Sequence, residues 1–269
     1  MSTNKSKSYR DINRESAMEL LQIMENGSYT IGRFWINIPE FEDATFISCK
    51  TNLVVDENTG NILDKVEIRN ESTVDAVHRL YSKENIPGVL NFASFNNPGG
   101  GFINGALAQE EALCQASTLY LQLKNRPEYA EHQAMNTCGK YNSDMFTSET
   151  WFIRDSKNSL VQKPAKAFVV TSAAPNFRTW DIENNSNEAI DTIDERVERI
   201  IKLFILNKCR NIILGAFGCG VFQNDPYIIA NSFKKYCTKY SGYFDKILFS
   251  IYDRKGSSNF DVFREVFGK

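Results

Sequence analysis

Three consecutive glycines, Gly99, Gly100 and Gly101, are followed after seven residues by Gln109-Glu110-Glu111. Glycine adopts backbone angles closed to other residues and lets main-chain N–H groups come close to a ligand, as a polyphosphate cradle requires. A helix starting near Gln109 would add its positive end behind that loop. Neighbouring carboxylates on a helix point about 100° apart, so Glu110 and Glu111 cannot flank one glycosidic bond as a conventional glycosidase pair does. They need separate roles, one holding substrate hydroxyls and the other exchanging a proton. Repulsion between close carboxylates raises one pKa towards neutrality, the helix dipole opposes that, and a ligand phosphate tips the balance to the protonated form. The other reading of the triplet is a solvated helix start.

A second glycine-rich stretch, Gly215-Ala216-Phe217-Gly218-Cys219-Gly220-Val221-Phe222, could grip a diphosphate together with the first. The first stretch fits neither the P-loop nor the dinucleotide fingerprint. Cys219 has no base near it in sequence and reads as a small loop thiol. Phe222, taken by itself, reads as an aromatic used for packing.

These loops need elements to hold them. Arg14 to Asn26 has Ala17, Leu20, Leu21 and Met24 on one helical face, with Gly27 as its stop. Thr45 to Cys49 and Leu53 to Val55 are short β-like runs, Lys65 to Arg69 is a strand, and Ser72 with Asp75 opens a helix through Tyr81. Gly88 to Ala93 is a buried strand leading into the triple glycine. Ala106 to Lys124 then aligns Leu113, Ala116, Tyr120 and Leu123 as a helix, and Phe168 to Ser172 is the next strand. A long amphipathic helix carries Ile190, Ile193, Val197, Ile200 and Phe204. Asn211 to Leu214 is a strand, Asp225-Pro226 caps a helix to Tyr240, Lys246 to Ile251 is a strand and Asn259 to Phe267 a helix. Strands separated by helices imply parallel crossovers with helices on both faces, and ligands in the loops beyond the strands' carboxyl ends.

Composition narrows the class. With 269 residues, 42% hydrophobic and 24% charged, the chain can close a core and is not disordered. A net charge of -2 offers no global positive field for nucleic acid. Met1 to Arg14 is polar, and no apolar run approaches the ~20 residues of a membrane span, so a soluble, cytoplasmic or nucleocytoplasmic protein is expected. Six cysteines without a Cys-x-x-Cys pair suggest reduced thiols. His78 and His132 are too few for a histidine-rich metal centre and stand beside no nucleophile elbow, so catalysis is expected to run on carboxylates.

The Gly99–Gly101 and Gln109-Glu110-Glu111 spacing resembles the signature of poly(ADP-ribose) glycohydrolases. Leu90-Asn91-Phe92-Ala93-Ser94, Asn96-Asn97-Pro98, Asn26-Gly27-Ser28-Tyr29, Ser172-Ala173-Ala174-Pro175-Asn176 and Ile251-Tyr252-Asp253-Arg254 are similar to the microbial-type members, which are built on a macrodomain core. The resemblance runs from about Arg14 onward and is weakest over Thr30 to Asn61. It implies a three-layer α/β/α mixed sheet, divided as a flexible tail (1–13), an N-terminal helical and β elaboration packed on the core (14–85) and a macrodomain-like catalytic core (86–269). It also implies hydrolysis of the ribose–ribose O-glycosidic bond of poly(ADP-ribose), with ADP-ribose as product.

By the same resemblance, Glu111 is the general acid that becomes the base, and Glu110 holds ribose hydroxyls. Asn97, Gly99, Gly100, Gly101, Gln109, Ala216, Gly218, Cys219, Gly220, Val221 and Phe222 are expected to bind substrate. Among them, Gly99 to Gly101 and Gly218 to Val221 take the diphosphate through backbone N–H groups, while Asn97 and Phe222 take the distal ribose. No cofactor, metal or membrane is implied; the partner is poly(ADP-ribose) or an ADP-ribosylated protein, and a monomer is expected. The alternatives are a hydrolase removing single ADP-ribose units from protein or nucleic acid, and a non-catalytic ADP-ribose reader. Binding alone needs no paired carboxylate facing an anion, which weighs against the reader.

Overall fold

The computed structural model describes residues 7–135, 137–180, 186–253 and 258–269. In chain order the elements are α1 (Tyr9–Asn26), β1 (Ser28–Ile31), β2 (Phe34–Asn37), β3 (Thr45–Ile47), β4 (Val66–Arg69), α2 (Thr73–Leu80), β5 (Gly88–Phe92), α3 (Gln109–Ala116), α4 (Leu119–Leu123), α5 (Glu128–Ala134), β6 (Met145–Arg154), β7 (Leu160–Ser172), α6 (Ser186–Leu206), β8 (Asn211–Leu214), α7 (Pro226–Lys239), β9 (Lys246–Ser250) and α8 (Ser258–Phe267). Seven strands make one sheet in the order β3-β6-β7-β5-β8-β9-β4, and β1 pairs with β2 in a separate hairpin. The pairs β5–β7, β5–β8, β8–β9 and β4–β9 are parallel, whereas β3–β6 and β6–β7 are antiparallel.

Successive strand residues point to opposite faces, and the apolar runs of the central strands sort accordingly. Leu90, Val170, Ile212 and Phe249 pack with Ile193, Val197, Ile200, Phe233 and Phe263 from α6, α7 and α8. Val89, Val169, Ile213 and Leu248 pack on the other side with Ala17, Val77, Leu113 and Leu119 from α1 to α4. Continuous hydrophobic strands are what a sheet covered on both faces demands. The expected three-layer mixed α/β architecture is therefore the one found. The segment 14–85 is interleaved with the sheet, since β3 and β4 are its two edge strands.

Several local expectations change. α1 starts at Tyr9, because the Ser8 hydroxyl caps it by accepting from Asp11 N–H, and Gly27 ends it with φ 68. Residues 1–6 of the expected tail, and Arg254, lie outside the described residues. The helix expected over Ala106 to Lys124 is two helices. Ser117 is extended (φ -145, ψ 177) and bridges Phe152, while Thr118 Oγ1 accepts from Trp151 N–H, so tertiary pairing outcompetes the helical ladder there. Leu53 to Val55 is not a strand, and Thr45 to Cys49 is one only to Ile47.

β6 and the first half of β7 had no periodic signal because β6 buries polar residues that find partners only in the fold. Thr150 donates to Gln122 Oε1 at 2.8 Å, and Arg154, 1% exposed, donates to Ser16 O at 3.0 Å and Glu19 Oε2 at 2.9 Å. Among the described residues no helix is long and apolar enough to cross a membrane.

The α7 start matches expectation: Asp225 Oδ1 accepts from Tyr227 N–H at 2.7 Å, with Pro226 in the first turn. Asp225→Ala should lower stability by about 1 kcal/mol, read as a lower urea midpoint at unchanged slope. An unchanged midpoint would mean that the cap contributes nothing.

Candidate active site

β8 pairs with β5 only at Gly88 and Val89, so the carboxyl end of β5 is left open on that side. Gln109, the first residue of α3, fills the gap. Its Nε2 donates to Leu90 O at 2.8 Å and its Oε1 accepts from Phe92 N–H at 2.9 Å. This side chain thereby stands in for a strand residue and fixes the start of α3 beside the loop that follows β5. Gln109 lines the cleft as expected, but its amide is spent on the backbone.

The next two residues converge instead of diverging. Glu111 Oε1 accepts from Gly101 N–H at 2.8 Å, and its Oε2 accepts from Ala108 N–H at 2.9 Å, the half of a capping box that an alanine at the cap leaves possible. Glu110 Oε2 accepts from Ser94 N–H at 2.8 Å and its Oε1 from Asn91 Nδ2 at 3.3 Å. Both carboxylates close on Gly100, which has φ 58. A Cβ there would lie 2.5 Å from Glu111 Oε1 and 3.0 Å from Glu110 Oε2. Glycine is needed at this position for its missing side chain as well as for its left-handed backbone.

Burial pushes the Glu110 carboxyl up to about 8, with the Glu111 charge adding to the rise, while hydrogen bonds from Ser94, Asn91 and Gly99 only partly oppose it. Glu110 therefore keeps its proton near neutrality. Asn91 and Ser94, which donate to Glu110, lie in a segment that carried the resemblance but were given no role there, and Thr171, which accepts from Asn91 Nδ2 at 3.2 Å, was not marked.

The two glycine loops are not equivalent. In the first, Gly100 N–H is taken by Asn97 O and Gly101 N–H by Glu111, while Gly99 packs against Cys114 and Tyr120 instead of lining the cleft. In the second, the N–H groups of Gly218, Gly220, Val221 and Phe222 have no hydrogen-bond acceptor among the described residues. Asn224, 3% exposed, shapes that loop. Its Nδ2 donates to Pro175 O at 2.8 Å and Gly218 O at 3.1 Å, and a Cβ on Gly218 (φ 74) would lie 2.7 Å from it. Burial pushes the Cys219 thiol up to about 12, the nearby Asp225 charge adding, so it stays protonated, and it does not line the cleft.

A cleft of about 1210 Å³ joins the two loops, its walls including Asn97, Gly100, Gly101, Glu110 and Glu111 on one side and Ala216, Gly218, Gly220, Val221 and Phe222 on the other. It extends past the carboxylates to Ser72–Asp75, marked in the sequence only as a helix start, and to the β6–β7 turn at Asp155–Asn158, which the sequence did not mark. His78 and His132 stand apart from it: His78 Nε2 lies 2.9 Å from Arg154 O, and His132 is buried behind the first loop.

The family model of the microbial-type PARG catalytic domain matches residues 17–155, just over half of the chain. The chain belongs to the microbial-type PARG family. Its fold is similar to that of the poly(ADP-ribose) glycohydrolase (PARG) of Thermomonospora curvata bound to the inhibitor ADP-HPD, with a TM-score of 0.85 and 27% identity over 95% of this chain and 99% of that one. It is also similar to the PARG of Deinococcus radiodurans in complex with ADP-ribose, with a TM-score of 0.67 and 30% identity over 77% of this chain and 85% of that one. No curated protein matches. The PARG family model ends at residue 155, so it covers the Gln109-Glu110-Glu111 loop, while the second loop is placed by the fold alone.

Between its ordinary value of 4.5 and its folded value of about 8, the Glu110 carboxyl is protonated in the native state and ionised in the unfolded one, so this group makes stability fall as pH rises through that window. Glu110→Gln removes that contribution. The thermal midpoint of the variant should gain on that of the wild type from about pH 5 to about pH 8; parallel curves would show that the buried carboxyl does not hold its proton.

Proposed function

We propose that the protein hydrolyses ribose–ribose O-glycosidic bonds of poly(ADP-ribose) to release ADP-ribose, with Glu111 exchanging the proton. The observation that carries this reading is the position of Glu111, whose carboxylate stands in the wall of the same cleft as the unengaged N–H groups of the second loop. Those N–H groups supply what a diphosphate needs, oriented donors beside the N-terminal end of α7. Phe222 at the end of that loop packs against the distal ribose, and Asn97 contacts the same sugar. The first loop has a different part from the one expected of it. Its N–H groups are engaged by Asn97 and Glu111, so its glycines serve the close packing of the two carboxylates and leave the diphosphate mainly to the second loop.

With the diphosphate held, the scissile bond lies against Glu111. Its carboxyl gives a proton to the departing ribose oxygen as the C–O bond breaks towards an oxocarbenium-like centre. The carboxylate then takes a proton from the water that attacks that carbon, which restores the acid. The two backbone N–H groups on Glu111 hold it in one rotamer through both steps. Glu110, protonated beside it, holds a ribose hydroxyl without adding a second negative charge. The cleft exceeds the ~300–1,000 Å³ of an ordinary small-molecule site and continues beyond the carboxylates, which favours a polymer's next unit as the leaving group.

Incubation with automodified poly(ADP-ribose) should yield free ADP-ribose; release solely from a mono-ADP-ribosylated protein, or from neither substrate, would overturn the reading. Glu111→Gln should lower kcat at least about a hundredfold while ADP-ribose still binds by calorimetry, and retained turnover would remove Glu111 from the proton's path.

A further inference from the structure

Four aromatic rings from four separate segments form a column that ends at the cleft. Phe95, in the first loop, is stacked on His132 of α5 at 4.0 Å between centroids and 10° between planes. It is also stacked on Tyr141 at 4.4 Å and 14°, and two rings this close to one phenyl must lie on its opposite faces. Tyr141 in turn meets Phe222 of the second loop at 6.2 Å and 58°. Through these contacts the two substrate loops touch the same stack.

The column is braced at His132 and at Tyr141 more firmly than packing alone needs. His132 is 3% exposed, with Nδ1 3.1 Å from Phe95 O and Nε2 3.1 Å from Asp144 Oδ2. Asp144 is held by Cys49 N–H at 2.6 Å and Asn142 Nδ2 at 2.7 Å. Burial raises the Asp144 carboxyl, but those hydrogen bonds and that from His132 outweigh it and hold the group below its ordinary range. The brace thus grips both the ring and the carbonyl of Phe95.

On the other face, Tyr141 has a left-handed backbone (φ 56), a conformation that a bulky residue keeps only when its surroundings impose it. Arg196, 1% exposed, imposes it. Its Nη2 lies 2.8, 2.8 and 3.1 Å from the carbonyl oxygens of Lys140, Tyr141 and Asn142. A buried guanidinium is thereby spent on bending three residues so that the Tyr141 ring stacks on Phe95 and meets Phe222 at a tilt.

We propose that Tyr141, backed by the His132–Asp144 brace, is a positioning residue for substrate binding: it sets the angle of Phe222 and the spacing between the two loops without touching the ligand. The proposal rests on the reading of Phe222 as the ribose contact. It assigns the column to binding and not to the proton transfer at Glu111, so its signature falls on KM.

The test is a double-substitution cycle on the full chain, with poly(ADP-ribose) kinetics and ADP-ribose calorimetry. Tyr141→Ala should raise KM and weaken ADP-ribose binding by about three- to tenfold, the worth of one aromatic contact, with kcat changed less than about twofold. Tyr141→Phe, which keeps the ring, should restore both. In a Phe222→Ala background the further Tyr141→Ala change should add almost nothing, because the side chain it positions is gone.

Additive effects in that background, a fall in kcat at unchanged KM, or Tyr141→Phe as impaired as Tyr141→Ala would each overturn the proposal. A raised KM in Phe222→Ala without one in Tyr141→Ala would overturn it alone, leaving the ribose contact standing. An unchanged KM in Phe222→Ala would overturn the ribose contact and the column's purpose together. Should Tyr141→Ala fail to fold, Tyr141→Leu, which keeps bulk and loses the flat face, takes its place in the cycle with the same outcomes.

Discussion

The approach of two carboxylates to one glycine is the constraint around which this protein is arranged. Glu110 and Glu111 both reach Gly100, where a Cβ would lie 2.5 Å from Glu111 Oε1 and 3.0 Å from Glu110 Oε2. The start of α3 is fixed by Gln109, which completes the ladder of β5 where β8 turns away. One glutamine thus converts the end of a central strand into the reference point for the chemistry. Glu111 then holds the loop in return by accepting from Gly101 N–H.

The pair is also an electrostatic device. Burial and its neighbour's charge keep a proton on Glu110 to about pH 8, so two adjacent carboxyls enter the cleft with less negative charge than their number suggests. A ligand that carries a diphosphate meets less repulsion for that reason. Across the cleft the second loop offers backbone donors without fixed charge. Oriented N–H groups of this kind suit an anion without requiring a net positive charge, and the net charge here is -2.

Much of the fold was legible in the chain because most elements are either amphipathic helices with ordinary caps or short apolar strands, and both leave a local signature. The Ser72 and Asp225 caps and the Gly27 stop fall where expected. What escaped were the elements that depend on distant partners. β6 buries Thr150 and Arg154, which donate hydrogen bonds to Gln122 and to α1, and the helix after Glu111 breaks at Ser117 because that residue pairs with Phe152. Nothing within a window of ten residues reports such bonds.

For the site the division is similar. The sequence alone marked the two glycine-rich segments and the adjacent carboxylates that the fold brings to one cleft, because glycine runs and adjacent carboxylates are local and chemically specific. The tertiary structure decided how the work is shared among them. Only the fold shows that the first loop's N–H groups are already engaged while those of Gly218, Gly220, Val221 and Phe222 are open, that Gln109 serves the backbone, and that burial raises the Glu110 pKa. Each of these depends on which atoms meet across the sheet, and spacing along a chain carries no information about an acceptor supplied from elsewhere.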